Sequence, residues 1–175
     1  MITEEDLTYL RLAGCSDSII EHSIAVTKRA LEIADSVSIA VERDLIKKGA
    51  INHDIGRART HDLDHFVVEA EIASELGLED EVVRIIEKHI GAGIPKDEAI
   101  DLGLPPKDYI PETPEEIIVS YADNLTHHVT AVSFEESLNR FRSRLGNGHP
   151  MLARLTEMHR KVRSWMTSDS FIRSG

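Results

Sequence analysis

At 175 residues the chain can bury one hydrophobic core of ordinary size, and its 41% hydrophobic and 29% charged residues are those of a water-facing globular protein. A net charge of -11 argues against a general nucleic-acid binder, whose footprint is a basic patch or stripe. It does not argue against a small anionic ligand, because a metal ion supplies local positive charge whatever the overall balance.

The lone cysteine, Cys15, cannot form an internal disulfide, and its neighbours Ser16 and Asp17 offer nothing to activate a thiol. The acidic start, Met1-Ile2-Thr3-Glu4-Glu5-Asp6, lacks the apolar run of a signal peptide. No stretch approaches the length of a membrane span, so the compartment expected is the cytoplasm.

The hydrophobic spacing is helical almost throughout. Thr3 caps a short first helix, with Asp6 at its third position. Ser18 and Glu21 read as a capping box ahead of a long helix to about Val37, whose apolar face runs through Ile19, His22, Ser23, Val26, Ala30, Ile33 and Ala34. Val37 to Val41 alternates like a strand but has no evident partner. A helix from about Glu42 to Asp54 places Leu45, Ile46, Gly49, Ala50 and His53 on one face. Gly49 costs about 1 kcal/mol relative to Ala inside a helix, which points to a neighbouring backbone close by.

Arg57 to Leu63 reads as a loop, followed by a helix from His65 to Leu76 capped by Asp64 and stopped at Gly77. The next helix, about Glu79 to Ile90, lines up Val82, Ile85, Ile86 and His89. A short helix follows Pro95 to Leu102, and the proline-rich stretch from Gly103 to Glu112 is a loop. Thr113-Pro114-Glu115-Glu116 is a strong helix start leading to Tyr121, Ala122, Asp123 and Leu125. Ser133 and Glu136 box a helix to about Leu145, and the last helix runs from Pro150 to about Met166, with Trp165, Leu155, Met158 and Val162 as packing residues. The fold class expected is all-α, with roughly seven to nine helices.

Within this pattern His53 and Asp54 stand side by side at the end of an apolar helix. A carboxylate there faces both a burial cost and the unfavourable end of the helix dipole unless a cation neutralises it. Separate helices bring one inward group each: His22, His53 with Asp54, His89 and Asp123, with His65 at the start of a fifth. Helical bundles build metal sites in this way. Mixed imidazole and carboxylate ligation suits Mn, Fe, Co, Ni or Zn, with Mg also compatible, over Ca. His22, His53, Asp54 and Asp123 suffice for one ion; adding His65 and His89 gives enough for two ions bridged by Asp54. His61, His127, His128, His149 and His159 have no helical phase that points them inward, although His61 and His127 lie near enough in sequence to reach a substrate.

The run Glu21-His22-Ser23, then Asn52-His53-Asp54-Ile55-Gly56-Arg57, then Tyr121-Ala122-Asp123-Asn124 resembles the HD superfamily of metal-dependent phosphohydrolases. His65 in Leu63-Asp64-His65-Phe66 and His89 in Lys88-His89-Ile90-Gly91 match the extra histidines of its two-metal members. The resemblance covers about residues 16–128 and is nearest to a small stand-alone, chiefly archaeal group with an HDIG-type motif. It implies one HD domain over 1–175, with helices 133–166 packed on the motif-bearing core. It implies metal-assisted hydrolysis of a phosphomonoester, phosphodiester or phosphoanhydride bond in a nucleotide-like substrate, and diadenosine tetraphosphate is one specific case.

The roles implied are catalytic for Asp54 and Arg57, and metal-ligating for His22, His53, Asp54, His65, His89 and Asp123. Arg57 stands where lysine is the commoner residue; it keeps the cation and can grip phosphate in a fork. Lys88 and Lys96 are further substrate contacts, with Lys28 and Arg59 weaker ones, and Asp62 or Glu69 are available to orient ligand imidazoles. The alternatives are a diiron oxygenase of the same superfamily and a ligand-binding domain without catalysis. Stable nucleic-acid or membrane binding is not expected; a homodimer is compatible with the chain, but no heptad seam specifies one.

Overall fold

The computed structural model describes residues 1–59 and 65–166. A 3-10 turn at Glu5–Leu7 leads into α1 (Thr8–Ala13), α2 (Asp17–Ser36) and α3 (Arg43–Asn52). A second 3-10 turn, Ile55–Ala58, precedes α4 (His65–Glu75), α5 (Asp80–Glu87), α6 (Lys96–Asp101) and α7 (Pro114–Asn124). A two-stranded antiparallel hairpin, β1 (Thr126–His127) and β2 (Thr130–Ala131), separates α7 from α8 (Phe134–Leu145) and α9 (Pro150–Trp165). The fold is all-α, as the sequence pattern predicts, and none of the described helices is long and apolar enough to cross a membrane.

Thr3 does not cap the first turn, whose N-cap is Glu4; its N–H and hydroxyl donate to Asp6 Oδ2 instead. Three further local readings need correction. The capping box expected at Ser18 does not form: α2 begins earlier, with Ser16 as its N-cap, and the Ser16 and Ser18 hydroxyls bond each other at 2.9 Å. The helix phase then buries Ile20 and leaves Ile19 half-exposed. The strand-like segment does have a partner, because Val37 bridges Met166 and the Ser38 N–H donates to the Trp165 carbonyl. The third concerns α3, which stops at Asn52, two residues before Asp54. By contrast, both Thr113 and Ser133 close reciprocal boxes with Glu116 and Glu136.

The helix α7 is buried nearly all round, from Glu116 to Ala122, as befits an element packed against several others. It meets α2, α3, α5 and α9, while α3 also packs on α2 and α5, and α4 packs on α5 and the Ile55–Ala58 turn. Val26, Ile33, Ile46, Ile85, Ile118 and Val162 belong to this main core. Such side chains contribute roughly 1.5–3 kcal/mol each on burial. A separate apolar cluster of Leu7, Leu10, Ile20, Ile51, Ile55 and Ile72 seats the N-terminal helices.

Gly49 is small because of a side chain, not a backbone. A Cβ there would lie 2.6 Å from Cγ2 of Ile85, across the α3–α5 contact. Gly49→Ala is therefore expected to cost about 1–2 kcal/mol net, the overpacking outweighing the gain in helix propensity. Thermal or urea unfolding measures this, and the double variant with Ile85→Ala should lose less than the sum of the two single variants.

Candidate metal centre

Where α3 ends, the backbone turns out of the helix: His53 keeps helical angles, but Asp54 sits at φ -102°, ψ 22° before the 3-10 turn begins. Successive residues thus send their side chains to one place from different directions. His53 is fully buried and Asp54 nearly so. Around them stand His22 from the first turns of α2, Asp123 from the last turn of α7, His65 at the start of α4, and His89 just beyond α5.

The tightest grouping is His22, His53, Asp54 and Asp123. His22 Nε2 lies 3.1 Å from Asp123 Oδ1 and 3.7 Å from Asp54 Oδ2. His53 Nε2 lies 3.5 Å from Asp123 Oδ1 and 3.7 Å from Asp54 Oδ2. Ligands held about 2.1 Å from one ion at tetrahedral or octahedral angles are roughly 3.0–3.4 Å apart, so this set fits a transition-metal ion with small adjustments.

The far nitrogens strengthen the fit. His53 Nδ1 donates to the Ala50 carbonyl at 2.8 Å, and His89 Nδ1 donates to the Ile86 carbonyl at 2.6 Å. His22 Nδ1 donates to the His128 carbonyl at 2.6 Å. Each bond makes Nδ1 the donor to the backbone and turns Nε2 toward the carboxylates, where it can ligate an ion once its proton is displaced. His53 Nε2, buried and without a hydrogen-bond partner, is a donor atom that an ion would satisfy.

A second grouping comprises Asp54, His65, Glu69 and His89, all buried, with donor atoms within 4.8 Å of one another. Asp54 Oδ1 is 3.8 Å from His89 Nε2. Arg57 enters this space, its Nε donating to Asp54 Oδ1 at 3.1 Å and its Nη2 to His65 Nε2 at 3.2 Å. Glu69 is fully buried with neither carboxyl oxygen hydrogen-bonded, and it is the donor that sequence reasoning mentioned but did not select. Its spacing of four from His65 on one helix was the available signal, since such residues share a face.

The electrostatics follow from burial and proximity. Burial works against charge on His53, but Asp54 and Asp123 outweigh it and raise the imidazole to about 9. His89, buried and beside His53, falls to about 4 and stays neutral. Burial also opposes charge on Asp123, yet the hydrogen bond with His22 and the nearby His53 hold it well below the ordinary carboxylate range. Asp54 is likewise lowered, with His53 and His89 overcoming its burial. Glu69 goes the other way: burial and the nearby Asp54 push it well above its usual value, so it is held as the neutral acid.

The remaining expected residues are not brought to this place. The Lys88 amine reaches Glu112 at 2.6 Å and Glu116 at 3.3 Å, joining the end of α5 to the start of α7. Lys96 is exposed at the start of α6, its N–H bonded to Asp108. Arg59 pairs with Glu75 at 3.8 Å. His61, Asp62 and the Asp64 cap lie outside the described residues. His127 and His128 sit on the hairpin at the cavity rim, and His128 matters through its backbone carbonyl. That residue takes φ 54°, the left-handed region, at the tip of the two-residue turn. His149 and His159 belong to α9 contacts, His159 bonding the Tyr121 hydroxyl and stacking on Phe134.

The cavity that opens onto this cluster has a volume of about 830 Å³. Its wall includes His22, Asp54, Arg57, His65, Asp123 and the Gly91 end of the glycine-rich turn. Gly91, at φ 56°, turns its carbonyl to Ser120 Oγ and Asn124 Nδ2, at 2.7 and 2.6 Å, which locks the segment carrying His89 onto α7.

A buried histidine and carboxylate cluster in an all-α fold, opening to a cavity, gives a helical domain the donor set of a metal site. The HD domain family matches residues 19–127, and the chain belongs to it. An uncharacterized protein of Methanocaldococcus jannaschii, MJ0778, is 44% identical over 151 residues, covering 85% of this chain and 89% of its own. A tRNA (cytidine(56)-2'-O)-methyltransferase of Picrophilus torridus is 39% identical over 165 residues; the match covers 93% of this chain but only 47% of that longer protein. Among solved structures, the HD domain of the L. monocytogenes phosphodiesterase PgpH in complex with cyclic-di-AMP has a similar fold, with a TM-score of 0.52 at 20% identity, over 97% of this chain and 84% of that one.

Gly56 of the motif is a steric requirement of the site. A Cβ there would meet Glu69 Cγ at 2.4 Å and the Glu69 backbone at 3.0 Å, so α4 would have to shift. Gly56→Ala is expected to destabilise the protein by about 2 kcal/mol or more and to weaken metal uptake, because His65 and Glu69 move together. Thermal unfolding with elemental analysis of the purified variant checks both effects.

Proposed function

We propose that this protein is a metal-dependent phosphohydrolase acting on a phosphomonoester, phosphodiester or phosphoanhydride bond of a nucleotide-like small molecule. The observation that carries this reading is the convergence of His22, His53, Asp54 and Asp123 at ligand spacing, with the His53 Nε2 buried and unsatisfied behind a cavity lined by the other three. The family match supports the reaction type, and the PgpH complex with cyclic-di-AMP supports a nucleotide as the kind of ligand.

In this reading His22, His53, Asp54 and Asp123 hold one divalent ion, of the Mn, Fe, Co, Ni or Zn kind, and Asp54, His65, Glu69 and His89 are the donors for a second. When bound, such an ion supplies a Lewis acid for a phosphoryl oxygen and lowers the pKa of water. Asp54 and Asp123 are held in the carboxylate form that a ligand needs. The carbonyls of Ala50, Ile86 and His128 keep the imidazoles turned inward. Arg57, anchored on Asp54 through Nε, turns its guanidinium along the cavity wall and positions a phosphate beside that carboxylate.

The test is phosphate or nucleotide release from a panel of mono-, di- and polyphosphate esters by protein loaded with Mn, Co, Ni or Fe. Hydrolysis of at least one substrate class is expected, reduced about a hundredfold or more by His53→Gln or Asp54→Asn. No release with any metal, in protein shown to contain it, would count against the proposal. Oxygen uptake by iron-loaded protein without phosphate release would favour the oxygenase alternative.

Metal affinity should depend on pH. His53 keeps its proton up to about pH 9, and an ion must displace that proton to reach Nε2. Affinity for Mn is therefore expected to rise between pH 6.5 and 8.5, by about tenfold per pH unit for one displaced proton. Calorimetry in buffers of different ionisation enthalpy reads both the affinity and the proton release; a pH-independent affinity would contradict the assignment of His53.

A further inference from the structure

The cavity is larger than one phosphate group requires: at about 830 Å³ it stands near the upper end of small-ligand sites, which run from about 300 to 1,000 Å³. Part of its wall comes from α8, beyond the family-matched segment, and consists of Arg140, Phe141 and Arg144. Their placement is fixed by packing. The buried Ser137 hydroxyl donates to the Asn124 carbonyl at 2.6 Å, one residue from Asp123. Phe141 packs beside Gly91, its Cε1 3.6 Å from where a Cβ on that glycine would be. Ser137, Arg140, Phe141 and Arg144 follow the three- and four-residue spacing of one helix face, so the two arginines flank the ring on the cavity side.

These arginines differ from others in this acidic chain. Arg11, Arg29, Arg43, Arg84, Arg154 and Arg160 each pair with a carboxylate. Among the described residues, Arg140 and Arg144 have no carboxylate within ion-pair distance. The acids in the described cavity wall are Asp54 and Asp123, both already engaged with histidines. Arg140 also lies near enough to His127 on the rim to disfavour its protonation. Among the described residues, positive charge has been left uncompensated on the wall of the cavity that opens onto the carboxylate–histidine cluster.

We propose that Arg140 and Arg144 form a second phosphate subsite and that Phe141 stacks on a base between it and the metal cluster. This selects substrates with two or more phosphate groups, of the dinucleotide class, over nucleoside monophosphates. The inference rests on the phosphohydrolase reading for its first subsite. Arg57 serves the phosphate beside Asp54, and the α8 pair serves the next one. Guanidinium groups suit this role because they grip phosphate in a fork, and an aromatic face accepts any base.

The experiment compares binding of 5'-phosphorylated diadenylate and of AMP to the full-length, Mn-loaded protein by calorimetry, alongside hydrolysis of bis(p-nitrophenyl) phosphate. The diadenylate should bind about tenfold tighter than AMP. Arg140→Ala and Arg144→Ala should each weaken it by about fivefold, while AMP binding and bis(p-nitrophenyl) phosphate hydrolysis stay within about twofold. The salt dependence of diadenylate binding should become shallower by about one counterion per arginine removed. Arg142→Ala, on the same helix but bonded to Asn139, serves as the control and should change nothing. Thermal melts establish that each variant is folded, and Arg144→Lys, which keeps the charge without the fork, should recover only part of the affinity.

Equal binding of the two ligands by the wild type, or an unchanged ratio in the double variant, overturns the subsite. If bis(p-nitrophenyl) phosphate is hydrolysed in that case, the phosphohydrolase reading stands. If the metal-loaded wild type cleaves nothing, that reading fails, and the loss of the diadenylate preference in the double variant still decides the subsite.

Discussion

The structure depends on keeping two carboxylates ionised inside an apolar helical core. Asp54 and Asp123 sit where burial would drive a lone carboxylate to take up a proton, a cost of several kcal/mol if it stayed charged without a partner. The imidazoles solve this by orientation. Each is tethered through Nδ1 to a backbone carbonyl, so that its Nε2 faces the acids. Those carbonyls come from three different parts of the backbone. The geometry of the cluster is therefore set by where α3 ends, where α5 ends and where the hairpin turns, more than by the histidines themselves.

Much of this was legible in the sequence because helical phase and small-residue punctuation are local. The boxes Thr113–Glu116 and Ser133–Glu136 announced α7 and α8 almost to the residue. The inward phase of His22, His53, His89 and Asp123 was visible as period-3.6 spacing. What escaped was set by tertiary contacts. Nothing local shows that Gly49 makes room for the Ile85 side chain, or that Val37 finds Met166. Lys88 read as a substrate contact because it adjoins His89, yet the chain leaves α5 there and sends consecutive side chains apart, one to the cluster and one to Glu112 and Glu116. The placement of Arg140 and Arg144 is hidden in the sequence for the same reason: it follows from the hydrogen bond that anchors Ser137, not from any motif.

Charge is distributed against the average. A chain of net charge -11 places Arg140 and Arg144 on the wall of this cavity, where Asp54 and Asp123 are the acids among the described residues. Overall acidity repels anions at long range, but a cavity focuses its own local field. Composition argues against a broad nucleic-acid surface and is silent about a pocket, because the two depend on charge at different length scales.

The left-handed turn at His128 has a consequence for how this protein tolerates change. Its contribution to the site is a carbonyl, offered to His22 from a backbone angle that β-branched residues resist. Sequence drift at that position is thus limited by conformation: glycine, asparagine or aspartate can replace the histidine and keep the contact, whereas valine or isoleucine would lose it. A residue can be indispensable to a site and still be nearly free to vary in its side chain, so that its importance goes unrecorded in any comparison of side-chain identity.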